Sequence, residues 1–303
     1  MGSPLRLMVG GEAVDATETH RFWRAVVDEF EISEAAMSRF RETSELTALN
    51  RAAGSAIVAH PSVRLRRALT AADRAHRISG GRFDPRVLVD LDRLGYRGAV
   101  LGGPGHSSPA DDPRSLERRI VERVGRDGLT IARPIDLGGI GKGLTLRWAT
   151  DRLRQLGVRD FLLEAGGDLM AGGRGPDGVA WQLGVEDPAG GDDLAVIAVS
   201  DQAVATSSIG VHRWALDGRL VHHLLDPRTG EPADGGLVAV TVAGPDPAWA
   251  EVWSKVLFLG GQEAIAGEAR SRGLAAWWVS ADGALEMTAA ARALTIWVAA
   301  EDG

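Results

Sequence analysis

The sequence has no cysteine, a single tyrosine, and only two lysines, Lys142 and Lys255, among its 34 lysine and arginine residues. The missing thiols exclude thiolate catalysis, cysteine-ligated zinc and iron–sulfur clusters. They leave the compartment open, because a thiol-free chain folds in either redox setting. The near-absence of lysine marks the two that remain: each is either required for chemistry that only an ammonium performs or a chance survivor of an arginine-rich composition. No apolar run is long enough to cross a bilayer. No basic run occurs, and the net charge of −7 argues against a duplex nucleic-acid partner. Met1 to Gly11 lacks a charged start followed by an apolar core, so the chain as written reads as cytoplasmic. A removed leader would leave the same sequence.

What is present describes a globular protein. Apolar residues make up 45% of 303 positions, enough for one large domain or two interlocked lobes. A chain of this size buries roughly 75% of its unfolded surface and needs neither disulfides nor a structural metal to fold. Helical spacing of Phe22, Trp23, Val26, Val27 and Phe30 predicts a helix over 17–32. A helical turn follows from Ser44 to Asn50, and a second helix over 61–78, with proline at its start and Gly80-Gly81 as its stop. Residues 98–112 read as an exposed loop, and two strands flank a turn at Asp127-Gly128. Residues 142–156 and 247–259 read as helices; 161–163, 195–199, 238–242 and 275–279 read as strands, with a turn at Asp282-Gly283. Gly166-Gly167-Asp168 and Ala205-Thr206-Ser207-Ser208 read as tight turns. No fixed-period repeat is present. Helices and strands do not alternate regularly, which favours α+β over a doubly wound sheet.

Four constellations could carry chemistry. Ile135 to Gly143, with glycines at 138, 139, 141 and 143 and Lys142, opens a helix whose free N–H groups favour an anion. It is neither a Walker loop nor a Rossmann fingerprint, and it reads as a phosphate seat or as a plain strand-to-helix turn. His222 to Gly230 places His223 just before an Asp-Pro-Arg-Thr-Gly turn. An imidazole there can accept a proton, and Asp226 could orient it or offset its charge; an exposed hairpin is the simpler alternative. Gly80 to Pro85 is a ligand wall with an aromatic and a carboxylate or, more simply, a helix stop. Glu251, Ser254 and Lys255 share a helical face. Oxygen ligands there suit a hard cation, but Glu251 to Lys255 also reads as an ordinary surface ion pair, the simpler expectation.

In order along the chain, seven short pieces resemble the FAD:protein FMN transferase, or ApbE, family over nearly the whole length. They are Met1-Gly2-Ser3-Pro4; Ser38-Arg39-Phe40 with Ser44-Glu45-Leu46 and Leu49-Asn50; Gly81 to Pro85; Asp136 to Gly143; Gly166-Gly167-Asp168; Thr206-Ser207; and His223 to Gly230. Each piece is weak alone. The resemblance implies one ApbE-like domain over 1–303, an α+β, T-fold-like, two-lobed fold holding the flavin nucleotide in a cleft. It implies an Mg²⁺-dependent enzyme that moves FMN from FAD to a threonine or serine hydroxyl of an acceptor protein and releases AMP.

By position, the resemblance implies FAD contacts from Met1, Phe40, Arg82, Phe83, Asp84, Asp136, Lys142 and Leu224. It implies metal contacts from the Gly139 carbonyl, Glu251 and Ser254, and His223 as the base, with Lys142 and Asp226 assisting. Two positions depart from the family pattern: glutamate replaces the usual aspartate at Glu251, and lysine replaces the usual threonine at Lys255. A charged lysine cannot ligate a cation. The Lys255 ammonium therefore stands in for Mg²⁺, or the site binds FAD with little turnover. Arg82, where the family commonly has a small residue, departs more mildly. An FAD pyrophosphatase giving FMN and AMP is the enzymatic alternative, and a flavin-binding protein without turnover the non-enzymatic one.

Overall fold

A computed structural model describes residues 4–10, 15–96, 119–210 and 212–300. Met1 and the loop expected over 98–112 lie outside the described residues. The first elements are β1 (Leu5–Val9), α1 (Ala16–Met37), α2 (Glu45–Arg51), α3 (Val63–Ile78), a 3-10 turn at Pro85–Val87, and α4 (Leu88–Arg93). Next come β2 (Glu122–Val124), β3 (Gly128–Thr130), α5 (Gly141–Gln155), β4 (Phe161–Ala165), β5 (Asp168–Gly172) and β6 (Trp181–Val185). Then follow β7 (Ala195–Val199), β8 (Gln202–Ser208), β9 (Arg213–Leu216), β10 (Arg219–His222) and β11 (Leu237–Gly244). The last are α6 (Pro247–Gly260), α7 (Gln262–Ser271), β12 (Ala275–Ser280), β13 (Leu285–Met287), α8 (Ala289–Arg292) and β14 (Thr295–Val298). None of the helices among the described residues is long and apolar enough to cross a membrane.

The chain separates into two compact units. The first takes Glu31–Gly141 and Arg213–Ala233 and is mostly helical, with the small hairpins β2–β3 and β9–β10. Its helix α3 buries Leu65, Leu69, Ala72 and Ala75, the face expected from their spacing. The Ser62 hydroxyl caps it by accepting from the Leu65 N–H, so Pro61 lies just before the helix rather than inside it.

The second unit takes Gly2–Phe30, Lys142–His212 and Asp234–Gly303. Its frame is a seven-stranded sheet in the order β1-β4-β5-β8-β11-β12-β13, with every pairing antiparallel. That architecture is α+β, as expected. One sheet face packs Leu162, Ala171, Val204, Ala243 and Trp277 against Trp181, Val185 and Ile197 of the three-stranded sheet β14-β7-β6. The other face carries α6, packed on β8 and β11. Asp246 caps α6 by accepting from the Ala248 and Trp249 N–H groups, and Pro247 occupies its first turn.

Two expectations change. Helix α1 runs on past Ile32 to Met37, because Ser33, Ala36 and Met37 are buried as well. Ala205 to Ser208 is not a turn but the end of β8, flanked by β5 and β11. Its hydroxyls find partners in that setting: Thr206 Oγ1 shares a hydrogen bond with Thr241 Oγ1 and Ser207 Oγ with Ser254 Oγ, each at 2.9 Å. Gly166-Gly167 does turn, with both residues at positive φ, and delivers Asp168 as the first residue of β5.

Candidate active site

In the first unit, the glycine-rich segment is fixed before its helix begins. Asn50 Nδ2 donates to the Ile135 carbonyl at 2.8 Å, and its Oδ1 accepts the Ile135 N–H at 2.9 Å. This reciprocal pair makes the buried amide of Asn50 act as a strand partner. Asp136 then turns the chain: its N–H donates to the Pro85 carbonyl at 2.7 Å, and its Oδ1 accepts the Gly138 N–H at 2.8 Å. The other carboxylate oxygen lies 3.6 Å from Arg39 Nε.

Arg39 is buried between two aromatic rings. Its guanidinium carbon lies 4.4 Å from the Phe40 centroid and 4.8 Å from the Tyr96 centroid, and its Nη2 donates to the Tyr96 carbonyl at 2.9 Å. Tyr96 stacks on Trp214 with centroids 5.4 Å apart, and its ring lies 6.1 Å from the half-buried imidazole of His223. Phe40, 53% exposed, presents its ring edge-on to Tyr96. Past His223, the Asp226 carboxylate takes the fork of Arg228, Nη2 to Oδ2 at 2.6 Å, and accepts the Arg228 N–H.

In the second unit, three elements bring charge together. Lys142, in the first turn of α5, places Nζ 2.5 Å from Asp168 Oδ2. Asp168 Oδ1 accepts the Thr206 N–H from β8. Glu251, on α6, accepts the Gly143 N–H at 2.8 Å. Its carboxyl therefore caps α5 at the end where the helix dipole favours an anion. A Cβ at Gly143 would collide with the backbone of Pro247 and Ala248, so glycine permits this close approach of α5 to α6.

Glu251 is only 5% exposed, so the expected surface pair with Lys255 is corrected to a buried carboxyl at a helix start. Burial pushes its pKa up to about 8, and the Asp168 charge adds to the rise; Lys142, the Gly143 N–H and Lys255 pull the other way. A raised pKa means the folded state holds a proton that the unfolded state has released. The associated stability is complete below the ordinary carboxyl range and is lost as pH climbs to about 8. Glu251→Gln keeps an acceptor for Gly143 and cannot ionise. Its melting temperature should gain on the parent steadily from pH 5 to pH 8, by up to about 1.4 kcal/mol of stability per pH unit, and then level off. Parallel melting curves across that range would rule the idea out.

A model of the ApbE family matches residues 1–278. The chain belongs to the ApbE family. Similarity to an FAD:protein FMN transferase of Escherichia coli strain K12 is 28% over 151 residues, 49% of this chain and 43% of that one. The match thus spans less than half of that relative. A longer match joins it to the FAD:protein FMN transferase of Haemophilus influenzae: 26% identity over 290 residues, 89% of this chain and 80% of the other. The crystal structure of the ApbE protein from Thermotoga maritima superposes with a TM-score of 0.84 at 25% identity, covering 97% of this chain and 96% of that one.

Several residues assigned from the ApbE motifs turn inward. Phe83, Asp84 and Leu224 are buried, Leu224 to 1% exposure. Asp84 caps the 3-10 turn through the Arg86 N–H and binds the Arg86 guanidinium, Nη2 to Oδ2 at 2.7 Å. Ser254 is likewise buried; its hydroxyl donates to the Glu251 carbonyl at 3.0 Å and shares the Ser207 hydrogen bond. Gly139 belongs to the first unit, Glu251 and Ser254 to the second. Asp168, Arg39, Tyr96 and Trp214 carry contacts that sequence reasoning assigned to no role. Asp168 and Arg39 did lie within the ApbE motif pieces, whereas Tyr96 and Trp214 gave no signal beyond being aromatic.

Proposed function

We propose that this ApbE-family chain is an FAD:protein FMN transferase that takes FAD as substrate and moves its FMN half to a threonine or serine hydroxyl of an acceptor protein. The observation that carries the reading is His223, a half-buried imidazole at the end of β10 beside the Tyr96–Trp214 stack. The relatives named as FAD:protein FMN transferases supply the activity class. In the reaction, the acceptor oxygen bonds to the FMN phosphorus, the diphosphate bridge breaks, and AMP departs with the bridging oxygen. His223 takes the hydroxyl proton. Lys142 and the start of α5 set positive charge toward the diphosphate. Phe40 offers an exposed ring face to the nucleotide, and Asp136 shapes the turn that leads into α5. The Arg82–Asp84 stretch and Leu224 contribute through backbone shape, since the Phe83, Asp84 and Leu224 side chains are committed within the first unit.

The Mg²⁺ implied by the resemblance fits this donor set poorly. Ser254 Oγ is engaged by Glu251 O and Ser207 Oγ, Glu251 already accepts from Gly143, and the free oxygen of Asp168 faces an ammonium. Glu251 keeps its proton up to about pH 8, so Asp168 alone offsets the Lys142 and Lys255 ammonium groups, and a divalent ion would add further positive charge to a buried cluster that already carries an excess. Lys142 and Lys255 therefore supply the charge, and no step runs through a metal. To test the function, the protein is incubated with FAD and a candidate acceptor protein, with and without EDTA. The expected result is an acceptor heavier by one FMN, with AMP released, at similar rates in both. Lys255→Thr should make transfer sensitive to EDTA. Release of AMP with no mass gain on any acceptor would replace the transferase with an FAD pyrophosphatase.

A further inference from the structure

The only tyrosine of the chain ends a helix in an arrangement that reaches His223. Helix α4 stops at Gly95, whose φ of +90° lets the Tyr96 N–H return to the Leu91 carbonyl at 2.8 Å while the Gly95 N–H bonds the Asp92 carbonyl. That turn lays the Tyr96 ring flat on Trp214, at an interplanar angle of 15°. Trp214 is fixed in turn: its Nε1–H donates to the Leu94 carbonyl at 2.6 Å, and its ring packs with Leu91, Leu94 and Leu225. On the opposite strand of the hairpin, Val221 pairs with Trp214 and His222 with Arg213, so the backbone entering His223 is set two residues from the Trp214 register. The Arg39 guanidinium carbon also lies 4.8 Å from the Tyr96 centroid.

We infer that Tyr96, packed against Arg39 and Trp214, is a positioning residue that fixes the imidazole of His223 for proton transfer. The inference rests on the transferase reading, in which His223 is the base. It concerns the aromatic face of Tyr96 rather than its hydroxyl: the ring, tilted 38° to the imidazole at 6.1 Å, lies within the range where aromatic pairs interact. Proton transfer depends steeply on placement, and a displacement of about 1 Å can lower a rate about 100-fold. Removing a neighbour that restricts the imidazole, without removing the imidazole, should fall short of that limit.

The test is kinetic and spectroscopic. In FMN transfer to an acceptor protein that the parent uses, Tyr96→Leu should lower kcat about tenfold and leave KM for FAD within about twofold. Tyr96→Phe should restore parent rates, and Trp214→Phe should lie between. In a His223→Ala background, Tyr96→Leu should have no further effect on kcat. The carbon-bound ring protons of His223, assigned by their absence in His223→Ala, should shift in Tyr96→Leu and not in Tyr96→Phe. The inference is overturned if Tyr96→Leu raises KM alone, if it slows the His223→Ala protein as much as the parent, or if the His223 resonances stay in place. Full activity in His223→Ala would remove the base assignment instead, and faster motion of the His223 ring in Tyr96→Leu than in Tyr96→Phe, read by relaxation of its carbon-bound protons, would still decide whether Tyr96 fixes the ring. Should Tyr96→Leu fold poorly by its melting curve, Trp214→Phe and Tyr96→Phe carry the same comparison.

Discussion

Replacing His223 with alanine is expected to slow FMN transfer about 10²- to 10⁴-fold while leaving FAD affinity within a few fold of the parent. That range is what a positioned general base ordinarily contributes. The imidazole follows β10 directly, is half-buried, and has the Tyr96 ring on one side, so its loss removes a proton acceptor without opening a large cavity. Stopped-flow or mass-spectrometric transfer assays give the rate, and calorimetry gives the affinity. Asp226→Asn should matter much less than His223→Ala, because the Asp226 carboxylate is already held by the Arg228 fork. If His223→Ala transfers FMN at the parent rate, another group takes the proton.

The second large effect concerns Lys142 and separates stability from chemistry. Asp168 is 3% exposed, and its Oδ2 faces the Lys142 ammonium at 2.5 Å. Lys142→Met strands that buried carboxylate, and removing one partner of a buried pair typically costs about 3–5 kcal/mol. The melting temperature should then fall by on the order of 10 °C. Lys142→Met combined with Asp168→Asn removes the stranded charge, retains an acceptor for the Thr206 N–H, and should recover most of the stability. Transfer activity should stay low in both proteins, by about 10²- to 10³-fold, because neither sets positive charge toward a diphosphate. A double variant that regains both stability and rate would reduce Lys142 to a structural ion pair.

The Lys142 cluster separates what neighbouring residues encode from what packing decides. The start of α5 is legible in its glycines, which turn the chain into a helix beginning at Gly141. That Glu251, 108 positions further on, already accepts the N–H of one of those glycines was not visible. Read locally, Glu251 and Lys255 make an i,i+4 surface pair, and only the packing of α6 on β8 and β11 buries that face. Ala205 to Ser208 form strand rather than turn for the same reason. Small hydroxyl residues favour turns when considered alone, but in β8 their polar atoms are satisfied by Thr241 and Ser254 from other elements.

By itself the sequence determined the amphipathic helices, the α+β class and the glycine entry to α5, each of which is written in neighbouring residues whose chemistry is local. Tertiary structure alone decided that Asn50 pairs with Ile135, that Asp168 faces Lys142, and that Tyr96 stacks on Trp214 and lies beside His223. The difference is physical. Helix and turn preferences arise within a few residues, whereas the partner of a buried charge or ring is chosen by sheet register and helix packing, which bring together positions far apart in the chain.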